Sequence, residues 1–452
     1  MSVKQRESWV CAECGHDQVK WSGSCSACKR WNTIQRFVES VEALPRFANR
    51  KVSSKPMPLK DIVMNEFERM ETELKEFNQV LGGGVVLGSL NLIAGDPGVG
   101  KSTLMMMLAE QFCKCGRRVL YVCGEESMEQ TKLRADRLEI RQDELYLFSE
   151  TMFSNIKLQV EELKPDVLII DSIQIVYKPE IASLPGSVIQ VKEVAMECMH
   201  IAKQMGVTCF LIGHVTKSGD LAGPKVLEHI VDVVLDFEGD PDLGLRILRA
   251  RKNRFGPTDE IAMFQMVEKG LEEVPEPSQI FLKERNKEST GSCIIPTMEG
   301  TRAILIEVQA LVAASAFATC ARRASGIDPN RLALLLAVLE KRAGYHFHSL
   351  DVFVSVAGGL RIREPAIDLA IALAIASSFC NRPIDPHTIV IGEIGLGGEI
   401  RSVSRMESRI KEASHMGFKR CILPKRSLPK EKGIIELVGV ERLEEAIQIL
   451  LS

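Results

Sequence analysis

LGGGVVLGSLNLIAGDPGVGKST (Leu81–Thr103) is the stretch on which the reading of the fold turns. Its last nine residues, Gly95-Asp96-Pro97-Gly98-Val99-Gly100-Lys101-Ser102-Thr103, have the spacing G-x4-G-K-[ST]. An apolar strand, NLIAG, precedes them and a helical segment, TLMMMLAEQF, follows, which is the context this spacing requires. The glycines let backbone N–H groups wrap a chain of phosphates, and the helix amino terminus adds a favourable dipole. Lys101 is expected to meet the β- and γ-phosphates of ATP, and Ser102 to ligate Mg2+. The run Met105-Met106-Met107 reads as buried helix.

Working outward, three more apolar runs end in residues suited to the same crevice. DVLIID ends at Asp171, placed to hold the Mg2+ ion. RVLYVCG runs into Glu125 and Glu126, either of which could activate the attacking water. VTCFLIGH delivers His214, a candidate sensor of the γ-phosphate. Strand-like runs alternating with helical segments predict an α/β domain with a mostly parallel sheet between about residues 61 and 271.

Downstream, ILRARKNRFGPTDEIAMF (Ile247–Phe264) reads as two alternating strands joined by a turn at Gly256-Pro257. Arg249, Arg251, Lys252 and Arg254 crowd there, and charge alone leaves DNA, a nucleotide or water as their partner. Upstream, Cys11, Cys14, Cys25 and Cys28 are spaced C-x2-C-x10-C-x2-C, so that two thiolate pairs can close a structural Zn2+ site. The organisation expected is a ribbon over 1–31, a linker over 32–60, the nucleotide domain over 61–271, a Pro/Glu-rich connector over 272–290 and an α/β domain over 291–452.

Composition excludes several classes. A net charge of −3 gives no global attraction to nucleic acid, so polyanion binding must be local. Thirteen cysteines without an apolar leader argue for a reducing compartment, taken to be the cytoplasm. No apolar run is long enough to span a bilayer.

The layout resembles the RecA-type ATPase core and its KaiC and DnaB-type ring relatives: GEES matches the paired-acid motif of the KaiC branch, and IGHVTK the segment coupling nucleotide state to DNA loops. With the four-cysteine ribbon and KNRFG, the sequence is similar to the bacterial RadA/Sms DNA-repair ATPases, over nearly its whole length. That resemblance implies a ring of six subunits on single-stranded and branched DNA, acting as a translocase or helicase in recombinational repair. It implies a recombinase or replicative helicase as partner, and Lys252 and Arg254 acting in trans on a neighbour's nucleotide. Arg254 keeps DNA as its alternative partner. Long segments after Asp171 and His214 (173–192 and 214–225) offer Lys178, Lys217 and Lys225 to DNA phosphates. The last domain resembles the Lon protease domain, with Ala366 where the nucleophilic serine stands and Glu407 opposite the lysine. Without hydroxyl or amine, proteolysis is not expected. Arg361, Arg363, Arg401 and Arg405 are candidate DNA contacts there.

Overall fold

A computed structural model describes the chain except residues 1–5, 12–16, 19, 28, 40–66, 215–224, 240–243, 284, 287, 316–319, 358–359, 361, 430–434 and 452. Two compact units emerge, Met1–Gly239 with Arg246–Glu273, and Asp240–Leu245 with Val274–Ser452.

The amino-terminal ribbon is a three-stranded antiparallel sheet ordered Asp17–Gln18, Arg6–Cys11, Ile34–Glu39. Its core is tiny: Cys11, Cys25 and Ile34 are buried, and Trp9 packs against them. So little apolar surface cannot hold ~30 residues together, which is why such ribbons depend on a metal. Cys14 and Cys28 lie outside the described residues, and among the described residues no cluster of three or more ligand side chains forms.

The nucleotide domain is built on nine strands. Their spatial order is Gly270–Glu273, Ile261–Val267, Leu245–Asn253, Val233–Gly239, Leu90–Gly95, Thr208–His214, Val167–Asp171, Val119–Cys123, Leu145–Phe148. The six from Val233–Gly239 to Leu145–Phe148 are parallel to one another. Both faces of the central strands are buried, so alternate residues feed two separate cores. Ile93, Phe210 and Ile212 join the helix Lys101–Lys114 on one side; Leu92, Leu211 and Ile170 join Phe153–Leu163 and Val188–Met205 on the other. Two-sided burial explains why these strands read as continuous apolar runs. Met105 and Met106 are fully buried.

Parallel pairing brings the carboxyl ends of these six strands to one edge. Cys123 lies opposite Asp171, and His214 opposite Gly95. Sequence positions up to about 120 residues apart thereby share one crevice, at the edge where ligands bind in open α/β sheets.

The second unit is built on a seven-stranded sheet, ordered Arg322–Ser325, Leu350–Val356, Arg302–Ala314, Ser292–Glu299, Thr388–Val390, Arg420–Pro424, Glu436–Val440, beside which Glu393–Ile394 and Ile400–Arg401 pair as a small hairpin. The helix Asp368–Cys380 is buried along nearly its whole length. The stretch 272–290 is not a bare connector: Glu272 and Glu273 end a strand of the first sheet, and Pro277–Leu282 is a helix of the second unit. Among the described residues no helix is long and apolar enough to cross a membrane.

Candidate nucleotide site

Gly95 leaves the sheet where a side chain cannot fit: a Cβ there would stand 2.2 Å from the Phe237 carbonyl oxygen. Gly98 and Gly100 have φ of 79° and 111°, the left-handed region that glycine enters without strain. Arg246 Nε donates to the Val99 carbonyl at 2.8 Å, tying the far side of the loop to a neighbouring strand.

Lys101 opens the helix and turns back into the loop. Its ammonium donates to the carbonyls of Gly95 (2.8 Å) and Asp96 (2.9 Å) and is almost wholly buried. Burial pushes its pKa down to about 8, although Asp171, Glu125 and Asp96 pull the other way. The cation is held by dipoles and faced by acids, with no carboxylate among the described residues in direct contact. That leaves it poised to accept an anion.

Asp171, at the end of its strand, is buried and accepts from Tyr121 Oη at 2.7 Å. Burial raises its carboxyl above the usual range, against hydrogen bonds from Ser102 and Tyr121; Glu125 adds to the rise. Ser102 and Asp171 are thus brought together, a pair of hard oxygen donors of the kind Mg2+ accepts.

The two adjacent acids separate clearly. Glu125 accepts from the hydroxyl of Ser172, the residue after Asp171, and so faces the crevice. Glu126 pairs with Arg134 at 2.6 Å. Ser127 caps the helix Met128–Arg137 in a reciprocal capping box with Gln130, fixing which way each acid points. Tyr121, Ser172 and Arg134 were not singled out from sequence. Ser172 was the nearest to being legible, standing directly after the strand-end Asp171.

His214 is the last residue of its strand and lies beside Gly95 in register. Lys217 lies outside the described residues, and Lys225 starts the helix Lys225–Ile230. Lys178 is engaged: Nζ reaches Glu197 at 2.9 Å, largely shielded. Its segment is knitted together, because the buried Gln190 side chain donates to the carbonyls of Lys178, Ile181 and Ser183.

The KNRFG turn (252–256) lies behind the site. Lys252 Nζ donates to the carbonyls of Glu228 and Val231, at the end of the helix Lys225–Ile230. Arg254 pairs with Asp232 at 3.2 Å; this buried acid also takes Lys203 (2.7 Å) and the Leu90 N–H (3.1 Å). Arg69 donates to the carbonyls of Leu81, Gly84 and Phe255, pinning the turn against Leu81–Gly84. Gly82 and Gly256 make that approach possible, a Cβ on Gly82 falling 3.3 Å from Gly256 Cα. In register, Asn253 faces Val233, and Val233 faces Asn91. The turn therefore sits at the amino edge of the sheet, opposite the phosphate loop.

In the second unit, Ala366 is buried and Glu407 is exposed. Arg409, which no motif in the sequence marks, is fully buried and donates to Glu364 and to the carbonyls of Pro296 and Ser404. Burial pushes the Glu364 carboxyl up, but Arg409, Thr297 and the Met298 N–H more than offset this and hold it below its ordinary value. Arg331 grips the buried Asp368 in the same neighbourhood. Arg363 is exposed, Arg401 pairs with Glu393 and Glu399, Arg405 is exposed, and Arg361 lies outside the described residues.

Three family models match: an AAA domain over residues 53–220, the ChlI subunit of Mg-chelatase over 329–427, and a rubredoxin metal binding domain over 9–36. A KaiC-like protein of known structure from Pyrococcus horikoshii is similar over 46% of this chain and 100% of its own, at 18% identity and a TM-score of 0.39. The DNA repair protein RadA of Chlamydia trachomatis is 49% identical over 454 residues, covering 100% of both chains. That of Bacillus subtilis is 49% identical over 457 residues, again covering both in full. With such identity running from end to end, the chain belongs to the family of the DNA repair protein RadA.

Proposed function

We propose that this chain is a DNA-dependent ATPase of DNA repair, working as a ring-shaped translocase or helicase on single strands at branched recombination intermediates. The observation that carries the catalytic half is the convergence of Lys101, Ser102, Asp171 and Glu125 on one sheet edge. Lys101 exchanges its loop carbonyls for the β- and γ-phosphates. Ser102 and Asp171 hold Mg2+, which offsets phosphate charge when bound with the nucleotide. Glu125, oriented by Ser172, takes the proton of the water that attacks the γ-phosphorus, and ADP departs. Glu126, tied to Arg134, orients the helix that follows. His214 senses the γ-phosphate beside Gly95. The cysteines Cys11, Cys14, Cys25 and Cys28 hold Zn2+, for which the burial of Cys11 and Cys25 in one small core is suited.

Lys252 and Arg254 serve a neighbouring subunit's nucleotide. Support comes from their register: they lie at the amino edge of the strand whose carboxyl end carries the chain's own phosphate loop. A six-residue strand spans roughly 20 Å, too far for a lysine to reach its own γ-phosphate. To act in trans, Lys252 and Arg254 must leave Glu228, Val231 and Asp232, so that ring formation and the local packing of the turn compete. Single-stranded DNA is held by the segments after Asp171 and His214, through Lys217 and Lys225, while Lys178 steadies the first of them through Glu197.

The test is ATP hydrolysis with and without single-stranded DNA, for wild type, Lys101→Ala, Lys252→Ala and an equimolar mixture of the two variants. Each variant alone is expected to lose stimulated turnover. The mixture regains it, because an intact nucleotide site on one subunit meets an intact Lys252 on the next. A mixture as inactive as its components would overturn the in-trans role, and a wild type indifferent to DNA would overturn the motor.

A further inference from the structure

The ribbon carries two large apolar side chains that its own core does not use. Trp21 is 59% exposed and Trp31 is 75% exposed. Trp31 is nonetheless fixed: its backbone bridges Ser24, the Asn32 N–H donates to the Gly23 carbonyl at 2.8 Å, and its ring lies against Gly23, where a Cβ would come within 3.3 Å. Lys20, Lys29 and Arg30 are exposed and stand within two residues of a tryptophan in sequence. From Gln18 to Val38 the sequence holds no Asp or Glu, whereas the whole chain carries −3. The other exposed side chains between Lys20 and Asn32 are polar, cationic or alanine.

We propose that this face of the ribbon is a second single-strand site, on which Trp21 and Trp31 stack nucleobases while Lys20, Lys29 and Arg30 meet the phosphates. Separated rings among cations are the pattern of sequence-tolerant single-strand binding, since every base offers a π-face. A protein hot spot instead buries its aromatic anchors within a surrounding apolar and water-excluding rim, and among the described residues between Lys20 and Asn32 no other large apolar side chain is exposed beside these rings. Stacking on a ring already fixed by Gly23 costs little ordering entropy. The site rests on the proposed function for its substrate, a single strand, but uses residues remote in sequence from the hydrolytic ones.

All three tryptophans of the chain, Trp9, Trp21 and Trp31, lie in the ribbon, and the four tyrosines lie outside it, so selectively excited tryptophan emission reports on this domain alone. The full-length, zinc-loaded protein is titrated with a thymidine oligonucleotide of roughly 20 nucleotides, within the range such sites cover. Emission and the anisotropy of a label on the oligonucleotide are followed together. Saturable quenching is expected, weakening as salt rises. An abasic strand of equal length quenches far less, and Lys101→Ala quenches like wild type. Trp21→Ala and Trp31→Ala each weaken binding about tenfold, and the phenylalanine variants recover most of it. Zinc content and DNA-free ATP hydrolysis stay unchanged in these variants, which separates a lost site from a lost fold. If anisotropy reports a bound strand while emission does not move, the ribbon site is wrong and the motor stands. If emission responds only to a protein partner, the site belongs to that protein and the proposal falls. If no strand binds at all, both readings fall together.

Discussion

Lys101 and Arg409 are both cations buried on helices, and they are held in opposite ways. Lys101 rests on two backbone carbonyls, with carboxylates nearby but none of the described ones in contact, and its pKa is lowered to about 8. Arg409 is locked by the two oxygens of Glu364 and by two further carbonyls. A site that must exchange partners leaves its charge underserved. A charge with no partner to exchange is satisfied completely and becomes part of the core. Buried polar groups cost most when a partner is missing, so the same rule leaves one pocket receptive and closes the other.

The contrast breaks first at the acids. Glu125→Gln is expected to lower the turnover number by about 10²- to 10⁴-fold with little change in KM, the range for losing a general base. Glu126→Gln opens only the partly exposed Arg134 pair and should cost less than about tenfold. Steady-state kinetics on both variants checks the assignment, and equal losses would return the base to either residue.

Next comes the closed pocket. Arg409→Met leaves the half-buried Glu364 carboxylate without its partner, which costs about 3 kcal/mol of stability, the low end of the range for a fully buried pair. Adding Glu364→Leu should recover most of it, because a matched apolar pair needs no countercharge. Thermal unfolding of the two variants decides this. A double variant no better than the single one would make the pair more than a structural seal.

The smallest effect is the pH response of the open pocket. Below pH 8 the Lys101 ammonium is charged in the folded protein and can meet phosphate. Above it the proton is lost, so affinity for a non-hydrolysable ATP analogue should fall roughly fivefold between pH 8 and pH 9. Stability runs the other way: the unfolded chain keeps this proton up to about 10.5, so folding becomes more favourable as pH rises across that window. Titrations from pH 7 to pH 9.5, with Lys101→Met as the flat control, measure the binding slope.

Much of this is legible in the sequence. The phosphate loop, Asp171 and the parallel order of strands follow from local spacing and two-sided burial, which a sequence displays directly. The choice between Glu125 and Glu126 did not, since neighbours at a strand end diverge only once Ser127 caps the next helix. Lys178, Lys252 and Arg254 looked like cations awaiting an anion, yet each has a partner in its own chain: Glu197, the end of Lys225–Ile230, and Asp232. Such pairs join residues distant in sequence, and charge patterning does not reveal them. Glu407 was the residue aligned with the Lon lysine, but positions two apart on a helix point about 200° from each other, and it is Arg409 that turns inward.

The strand Leu90–Gly95 has its phosphate loop at one end and, through Asp232, the KNRFG turn at the other. Under the proposed mechanism this makes half of a working centre face each way, so a solitary protomer owns two halves that never meet. Specific activity then belongs to the assembly: it declines on dilution, and the concentration at which it halves measures how tightly the subunits associate.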